Sequence, residues 1–197
     1  MVLAGVLTAV GGYLMGSIPT GVVLARAFTQ ADIRRAGSGN IGATNVYRTA
    51  GRLPGLLTLI GDVLKGVVPV LIGRYALDLS RDWLALAALA AFLGHLYPIY
   101  LSWRGGKGVA TFFGIFLALS PLAAAASAVL WLGTVRRWGY SSLGSLVAAL
   151  AMPTWIGLFG YPRLYILLSA VVATFIVLRH RENISRLLGG TEAKVAL

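Results

Sequence analysis

Long apolar segments separated by short polar loops fill most of this chain and restrict its fold more than any other feature. An upright helix needs about 20 apolar residues to cross the hydrocarbon core of a bilayer. Seven segments are apolar, several of them shorter than that: 2–25, 54–76, 83–101, 109–120, 122–135, 142–160 and 162–179. Pro121 separates the two shortest, which also fit a tight hairpin or a re-entrant pair, so five or six crossings are the alternative. We expect an all-α, polytopic membrane protein with about seven transmembrane helices, some of them short.

The composition supports lipid as the solvent. The 197 residues are 58% hydrophobic and only 12% charged, whereas about a quarter of the residues of a soluble domain are charged. The first apolar segment has no basic residues before it and no clear cleavage site, so we interpret it as a retained span rather than a signal peptide. Within it, Gly12 and Gly16 form a GxxxG pair, which predicts a close helix contact. Because no internal repeat or linker interrupts the chain, we predict one integral-membrane domain over residues 1–197.

Positive charge is distributed unevenly along the chain. Lys and Arg number 17 against 6 Asp and Glu, but the basic residues lie between apolar segments without an aromatic patch, so nucleic acid is not an expected partner. With seven crossings and the N-terminus outside, the outer side holds only Arg74, Arg81 and Arg163, and Lys65 lies within a span. The inner side then holds Arg26, Arg34, Arg35, Arg48, Arg52, Arg104, Lys107, Arg136, Arg137, Arg179, Arg181, Arg186 and Lys194. The positive-inside rule therefore predicts an outside N-terminus and a cytoplasmic C-terminus.

The first polar loop, GSGNIGATNVYR at 37–48, is rich in glycine and in hydrogen-bond donors. It matches GxGxxG, but a dinucleotide site needs that pattern after a β-strand, and here it lies between membrane spans. Glycines let backbone N–H groups approach an anion, and Ser38, Thr44 and Asn45 add side-chain donors. Arg48 follows Thr44 by four residues, so a helix there would put both on one face, where an Arg suits a phosphate. A glycine-rich connector with a helix cap is the alternative.

A second loop, RGGKGVAT at 104–111, places three glycines around Lys107 at the start of an apolar segment. It is not a P-loop, because no Ser or Thr follows the lysine. The positive end of a helix beginning there would add to the lysine charge and favour an anion. The alternative is a simple basic anchor for the membrane. The upstream GHLYP motif contains His95, a residue that more often has a structural role than a catalytic one near a span end.

Two further groups of polar residues complete the set. In the C-terminal stretch, His180 and Asn183 are three apart and would share a face if the last helix continued through them. A basic amphipathic tail on anionic lipid is the alternative. Asp62 and Lys65 lie three apart inside the second span. Ionisable residues at membrane depth are paired or functional, so we expect this pair to satisfy itself or to support the polar site.

Together these segments resemble the PlsY family, the integral-membrane acyl-phosphate:glycerol-3-phosphate acyltransferases of bacteria. The resemblance covers essentially the whole chain and rests on GSIPTG, GSGNIGATNVYR, DVLKG, GHLYPIYLSWRGGKGVAT and HRENISRLLGGTE, in that order. It implies transfer of a fatty acyl group from acyl phosphate to the 1-hydroxyl of sn-glycerol 3-phosphate. The products would be lysophosphatidic acid and inorganic phosphate, in the first acylation of bacterial phospholipid synthesis. It implies no cofactor and no metal, and an active site on the cytoplasmic side of the inner membrane.

The resemblance also implies roles for individual residues. The implied catalytic residues are Ser38, Arg48, Lys107, His180 and Asn183. The implied substrate-binding residues are Gly105, Gly106 and Gly108 of the second loop. From the donor chemistry of the first loop, we also expect Gly37, Gly39, Asn40, Thr44 and Asn45 to bind substrate. The resemblance implies a supporting role for Glu192, and from their positions we expect Asp62, Lys65 and His95 to support the site as well. The expected partners are the two substrates, the lipid bilayer and, as a candidate, the soluble enzyme that makes acyl phosphate.

The chemistry of the residues agrees with this activity. Both substrates carry phosphate, which suits cationic, glycine-rich loops, and acyl phosphate is already activated, so no covalent nucleophile is needed. The chain contains no cysteine, which excludes disulfides and thiolate chemistry. His180 is a candidate general base for the attacking hydroxyl, and a substrate phosphate is the rival acceptor of the proton. A transporter for a phosphorylated solute and a lipid-binding scaffold are the alternatives from other functional classes.

Overall fold

The computed structural model describes residues 1–29 and 32–195, and within these ranges every regular element is a helix. This confirms the predicted all-α class. The chain divides into two compact units, Met1–Ala118 and Leu119–Leu197. The first unit contains α1 to α6 and the second contains α7 to α10, with α6 ending at the boundary. Each unit is described by itself below.

The first unit is built from six α-helices and two short helical turns of other types. The α-helices are α1 (Val2–Gly16), α2 (Thr20–Thr29), α3 (Ala43–Ala50), α4 (Arg52–Leu71), α5 (Arg81–Leu96) and α6 (Val109–Leu119). A π-helical turn, Ile72–Ala76, continues α4, and a 3₁₀ turn, Ile99–Leu101, follows α5.

The segment predicted as one span at 2–25 is two helices, because α1 ends at Gly16 and α2 begins at Thr20. Pro19 explains the interruption: the residue before a proline is disfavoured in helical conformation, and proline itself has no N–H to donate. The break removes the carbonyl group of Ile18 from α-helical bonding. This carbonyl accepts the N–H of Thr20 at 2.9 Å and the Lys65 ammonium at 3.1 Å.

The predicted GxxxG contact is confirmed between α1 and α5. A Cβ at Gly12 would lie 2.9 Å from the carbonyl oxygen of Ala87, and a Cβ at Gly16 would overlap the carbonyl of Ala91. Glycine at both positions therefore lets the two helix backbones approach more closely than any side chain would allow.

The second unit consists of α7 (Pro121–Trp138), α8 (Ser141–Leu158), α9 (Arg163–Arg179) and α10 (Arg181–Leu188). The predicted break at Pro121 is confirmed, since this proline occupies the first turn of α7. The helix continues to Trp138, three residues beyond the predicted apolar segment 122–135. Arg136 and Arg137 complement the negative end of the helix, and Gly139 ends it in the left-handed conformation.

Within the described ranges, four helical stretches are long and apolar enough to cross a membrane: Val2–Thr29, Arg52–Ala76, Arg81–Leu101 and Ser141–Leu158. The pair α9 and α10, which bends by 62° at its junction, would be a fifth. α6 has only 11 residues, and α7 is less apolar than these stretches. The count of seven crossings therefore stays a prediction.

Candidate active site

Asn45 organises the first polar loop. Its side chain is almost completely buried, and its Oδ1 accepts the backbone N–H of Ser38 at 2.9 Å. Its Nδ2 donates to the carbonyl oxygens of Ile33 (3.0 Å), Ala36 (3.1 Å) and Asn40 (2.8 Å). One amide group thus closes the loop onto the start of α3.

The glycines of this loop are required by backbone conformation and by contact with Asn45. Gly37 and Gly39 have φ angles of +59° and +69°, in the left-handed region that favours glycine. A Cβ at Gly37 would overlap Asn45 Oδ1. The N–H of Ser38 is bound by Asn45, and that of Gly39 donates to Ala36. Because these two backbone N–H groups already donate within the loop, they do not form part of the anion-binding backbone that the sequence predicted.

Side chains on the surface of this region remain the candidates for contacting an anion. Ser38 is exposed at the tip of the loop, and Arg48 is exposed on α3. α3 begins at Ala43, so the condition for Thr44 and Arg48 to share one face is met. Nearby, the Arg34 side chain donates to the Asp32 carboxylate and lowers the pKa of Asp32 to about 2.

The second loop folds back onto the C-terminal end of α5. The N–H groups of Gly105 and Gly106 donate to the carbonyl oxygens of Leu96 and His95, each at 3.1 Å, and so satisfy carbonyls that the helix end leaves open. A Cβ at Gly105 would overlap the His95 carbonyl, and a Cβ at Gly106 would overlap the His95 imidazole. Close packing on α5 is therefore what demands these glycines.

Lys107 follows directly and is half-buried. Gly108 has a φ of +82° and leads into α6, which begins at Val109. The expectation of a lysine among glycines at a helix start is confirmed, and such a position combines a side-chain charge with the positive end of the helix.

Asp62, Lys65 and His95 form a buried cluster beneath the second loop. Lys65 Nζ lies 2.8 Å from Asp62 Oδ1, and His95 Nδ1 lies 3.8 Å from the same oxygen. The expectation that Asp62 and Lys65 satisfy one another is confirmed. Their contacts with His95 and with the Ile18 carbonyl were not expected from the sequence.

In the second unit, His180 stands at the junction of two helices. His180 and Asn183 would share one face if the last helix continued through them, but α9 ends at Arg179 and α10 begins at Arg181 after the 62° bend. His180 caps this junction, since its carbonyl oxygen accepts the N–H of Ile184 at 2.8 Å. Both His180 and Asn183 are buried.

The hydrogen-bond geometry of the His180 ring assigns its tautomer. Its Nδ1 lies 2.8 Å from the carbonyl oxygen of Ile176, and a carbonyl oxygen can only accept. Nδ1 therefore carries a proton, and in the neutral ring Nε2 carries the lone pair. That is the tautomer a general base needs.

Glu192 joins the C-terminal segment to α8 and α10. Its carboxylate accepts hydrogen bonds from Ser142 (2.6 Å), Asn183 (2.6 Å) and Arg186 (2.7 Å). Burial alone would raise the pKa of Glu192, but the three donors outweigh it and hold the pKa below its ordinary value. Ser142 and Arg186 were not singled out from the sequence, because nothing in the spacing links either of them to Glu192.

The chain matches the family model described as glycerol-3-phosphate acyltransferase over residues 6–190. It is 52% identical to the glycerol-3-phosphate acyltransferase of Geotalea daltonii over 183 residues, which is 93% of each chain. It is 52% identical to that of Geobacter sulfurreducens over 187 residues, 95% of each.

Two solved structures of PlsY (YgiH), an integral membrane glycerol 3-phosphate acyltransferase, have the same fold. The glycerol 3-phosphate form gives a TM-score of 0.92 at 39% identity, covering 98% of this chain and 96% of that one. The lysophosphatidic acid form gives 0.90 at 38% identity, covering 98% and 95%.

Proposed function

Because the chain belongs to the glycerol-3-phosphate acyltransferase family and is a multi-pass membrane acyltransferase of the PlsY type, we propose that it takes its acyl group from acyl phosphate. The acceptor is the 1-hydroxyl of sn-glycerol 3-phosphate, and the products are lysophosphatidic acid and inorganic phosphate. The observation that carries the proposal is the match over residues 6–190, which includes all the polar loops. The two PlsY structures support it, because that protein is described with glycerol 3-phosphate and with lysophosphatidic acid.

The donor follows from the chemistry that the residues offer. Acyl phosphate is a mixed anhydride, so the carbonyl carbon is already activated and phosphate is the leaving group. The hydroxyl oxygen forms a bond to that carbon, the bond from the carbon to the phosphate oxygen breaks, and one proton leaves the hydroxyl. A chain without cysteine but with cationic loops suits this reaction, which requires positioning and charge neutralisation.

The cations and the small polar groups have separate roles in this proposal. Arg48 and Lys107 neutralise the phosphates of the two substrates, which repel one another. Ser38, Asn40 and Thr44 donate to substrate oxygens, and the glycines at 37, 39, 105, 106 and 108 shape the two loops. Asn45 acts through the loop that it closes, and Glu192 orients the Asn183 amide, which in turn contacts substrate.

His180 is proposed as the general base. The Nδ1 hydrogen bond to Ile176 leaves the Nε2 lone pair as the ring's basic position. A substrate phosphate is the rival base, in which case His180 orients or neutralises.

We further propose that the chain is one domain of seven crossings in the bacterial cytoplasmic membrane, with the N-terminus outside and the polar loops in the cytoplasm. The distribution of Lys and Arg supports this orientation. A cytoplasmic site would receive glycerol 3-phosphate from the cytosol, and acyl phosphate from the soluble enzyme that makes it.

The test is phosphate release by the purified protein in lipid, given palmitoyl phosphate with and without glycerol 3-phosphate. We expect release that requires glycerol 3-phosphate and falls by about 10²-fold or more in Arg48→Ala and in Lys107→Ala, since each removes a charge that stabilises the transition state. Arg81→Ala is the matched control, because Arg81 is an exposed arginine at the start of α5 with no proposed role.

Absence of release from folded protein in every lipid composition would contradict the proposed donor. Flux of glycerol 3-phosphate into vesicles would then favour a transporter. Binding of acidic lipid without turnover would favour a scaffold.

A further inference from the structure

We propose that the buried cluster of Asp62, Lys65 and His95 is a positioning device that sets the backbone of the Gly105–Gly108 loop, and with it Lys107. The cluster lies entirely within the first unit, beneath the loop. The inference rests on the proposed function, because Lys107 is assigned there to a substrate phosphate. It assigns these three residues, expected from the sequence only to support the site, a specific action on Lys107 without contact with the substrate.

The cluster is sealed from solvent and substrate. The side chains of Asp62, Lys65 and His95 are each only 3–4% exposed. An acyl phosphate or a glycerol phosphate cannot reach groups so deeply buried. Any effect of these residues on the reaction must therefore pass through the atoms they contact.

Lys65 joins the cluster to the break in the first span. Its ammonium lies 2.8 Å from Asp62 Oδ1 and donates to the Ile18 carbonyl at 3.1 Å. The ion pair neutralises the carboxylate, which a buried position requires. The hydrogen bond to Ile18 has a second effect. It ties the Lys65 side chain of α4 to a carbonyl that the break before Pro19 removes from α-helical bonding.

His95 joins the cluster to the loop. Its Nδ1 side lies 3.8 Å from Asp62 Oδ1, and its Nε2 side faces Gly106 so closely that a Cβ there would overlap it. Its carbonyl oxygen also accepts the Gly106 N–H at 3.1 Å. The imidazole thus occupies the space between Asp62 and the residue that precedes Lys107.

Rotation of the His95 ring would move it either onto the glycine backbone or away from the carboxylate. Contacts run from Ile18 through Lys65, Asp62 and His95 to Gly106. They therefore fix the distance between the backbone of the Gly105–Gly108 loop and the C-terminal end of α5. A small displacement of a binding group lowers activity strongly, with about a hundredfold loss for a misplacement of about 1 Å. The cluster is a means of preventing such a displacement of Lys107.

The first experiment separates positioning from simple charge pairing. Lys65→Met leaves the Asp62 charge uncompensated, so we expect a large fall in Tm. The double variant Asp62→Asn/Lys65→Met removes both charges, and its Tm should recover. If the cluster positions Lys107, the KM for glycerol 3-phosphate in the double variant stays raised by roughly tenfold or more, because the tie to Ile18 is gone. Asp82→Asn, an exposed aspartate on α5, is the control and should match the wild type.

Recovery of both Tm and KM in the double variant would overturn the inference, because the pair would then only satisfy itself. The wild type and Asp82→Asn must turn over for kinetics to be read, and their inactivity would count against the proposed function instead. In that case binding is measured instead of KM. The Tm of each variant is followed as glycerol 3-phosphate is added, and the concentration that gives half of the full rise in Tm is compared between variants.

The second experiment uses the contact between His95 and Gly106, and it decides the matter if the charge variants do not fold. Gly106→Ala should raise KM in the presence of His95, because the new methyl group overlaps the ring. In a His95→Ala background the ring is absent, so we expect the same change to have little further effect. If Gly106→Ala raised KM by the same factor with and without His95, the inference would be overturned, because Gly106 would then act independently of the His95 ring.

Discussion

At the scale of single residues, the Asn45 amide illustrates how one side chain can determine the shape of a loop. It accepts one backbone N–H and donates to three backbone carbonyls, all in the segment from Ile33 to Asn40. Only an amide provides a donor and an acceptor in this arrangement. The exposed Ser38 owes its position to this buried neighbour.

Asn45→Asp is expected to disrupt the loop although it barely changes the size of the side chain. A carboxylate would still accept the N–H of Ser38, but it would face three carbonyl oxygens with no proton to donate. We expect a loss of stability of about 1–3 kcal/mol or more for the donors lost, together with loss of acyl transfer. Thermal unfolding and phosphate release measure the two effects.

Asn40→Asp makes the same chemical change at a half-buried position of the same loop. Its Tm should stay near that of the wild type. A normal Tm for Asn45→Asp would show that the amide donors do not hold the loop.

His180 is a second residue whose neighbours decide what it can do. If Nε2 is the general base, kcat/KM should fall as the pH drops and the ring becomes protonated, because the lone pair is then lost. His180→Ala should lower the rate by about 10²–10⁴-fold and abolish this acidic limb. His180→Asn, whose side-chain amide can take the place of Nδ1 and donate towards Ile176 but does not titrate near neutral pH, is the control and should lose the limb as well.

An acidic limb that persists in both variants would assign the proton to a substrate phosphate, which titrates with a pKa near 6. The histidine would then orient or neutralise. Initial rates across the pH range, measured at several concentrations of glycerol 3-phosphate, distinguish the two cases.

At the scale of elements, the close contact between α1 and α5 depends on glycine in α1. Gly16→Ala should lower stability by about 1–3 kcal/mol, because the added methyl group overlaps the carbonyl of Ala91 and forces α1 away from α5. Gly11→Ala, in the same helix, meets nothing within 4 Å and should be neutral or slightly stabilising. Thermal unfolding of both variants in the same detergent measures the difference. Equal Tm values would contradict the prediction that Gly16 is needed for the contact between α1 and α5.

The helical elements could be predicted because apolar segments of this length have few alternatives, and the break of the first span has a sequence signal in Pro19. The 62° bend at His180 has no such signal, since neither proline nor glycine lies there. The hydrogen bonds from Lys65 to Ile18 and from Ser142 to Glu192 join residues 47 and 50 positions apart. Contacts between such distant segments leave no periodicity in the sequence, so these two hydrogen bonds could be seen only in the fold.

At the scale of the whole molecule, the proposed orientation makes a prediction that the absence of cysteine makes easy to test. Single cysteines at the exposed positions Asp82, Arg35 and Arg137 would be the only thiols in the protein. We expect a membrane-impermeant maleimide to label Asp82→Cys in intact cells, and to label Arg35→Cys and Arg137→Cys only after permeabilisation. The reverse pattern would invert the orientation, and labelling of Arg35 and Arg137 from opposite sides would change the number of crossings between them.

If α6 is one of the proposed crossings, its shortness reduces the distance that the acyl chain of the proposed acyl phosphate donor must move to react. Its 11 residues rise about 16 Å, roughly half the hydrocarbon thickness of a bilayer. A crossing of this length brings water closer to the membrane centre, either by thinning the bilayer or by sinking the loop that precedes the helix. That loop carries Lys107, so on the proposed topology the phosphate contact would lie near the depth of the acyl chain of the proposed donor. Exposing each methylene to water would cost about 0.8 kcal/mol, and a recessed loop lets the enzyme use its donor without drawing it out of the lipid.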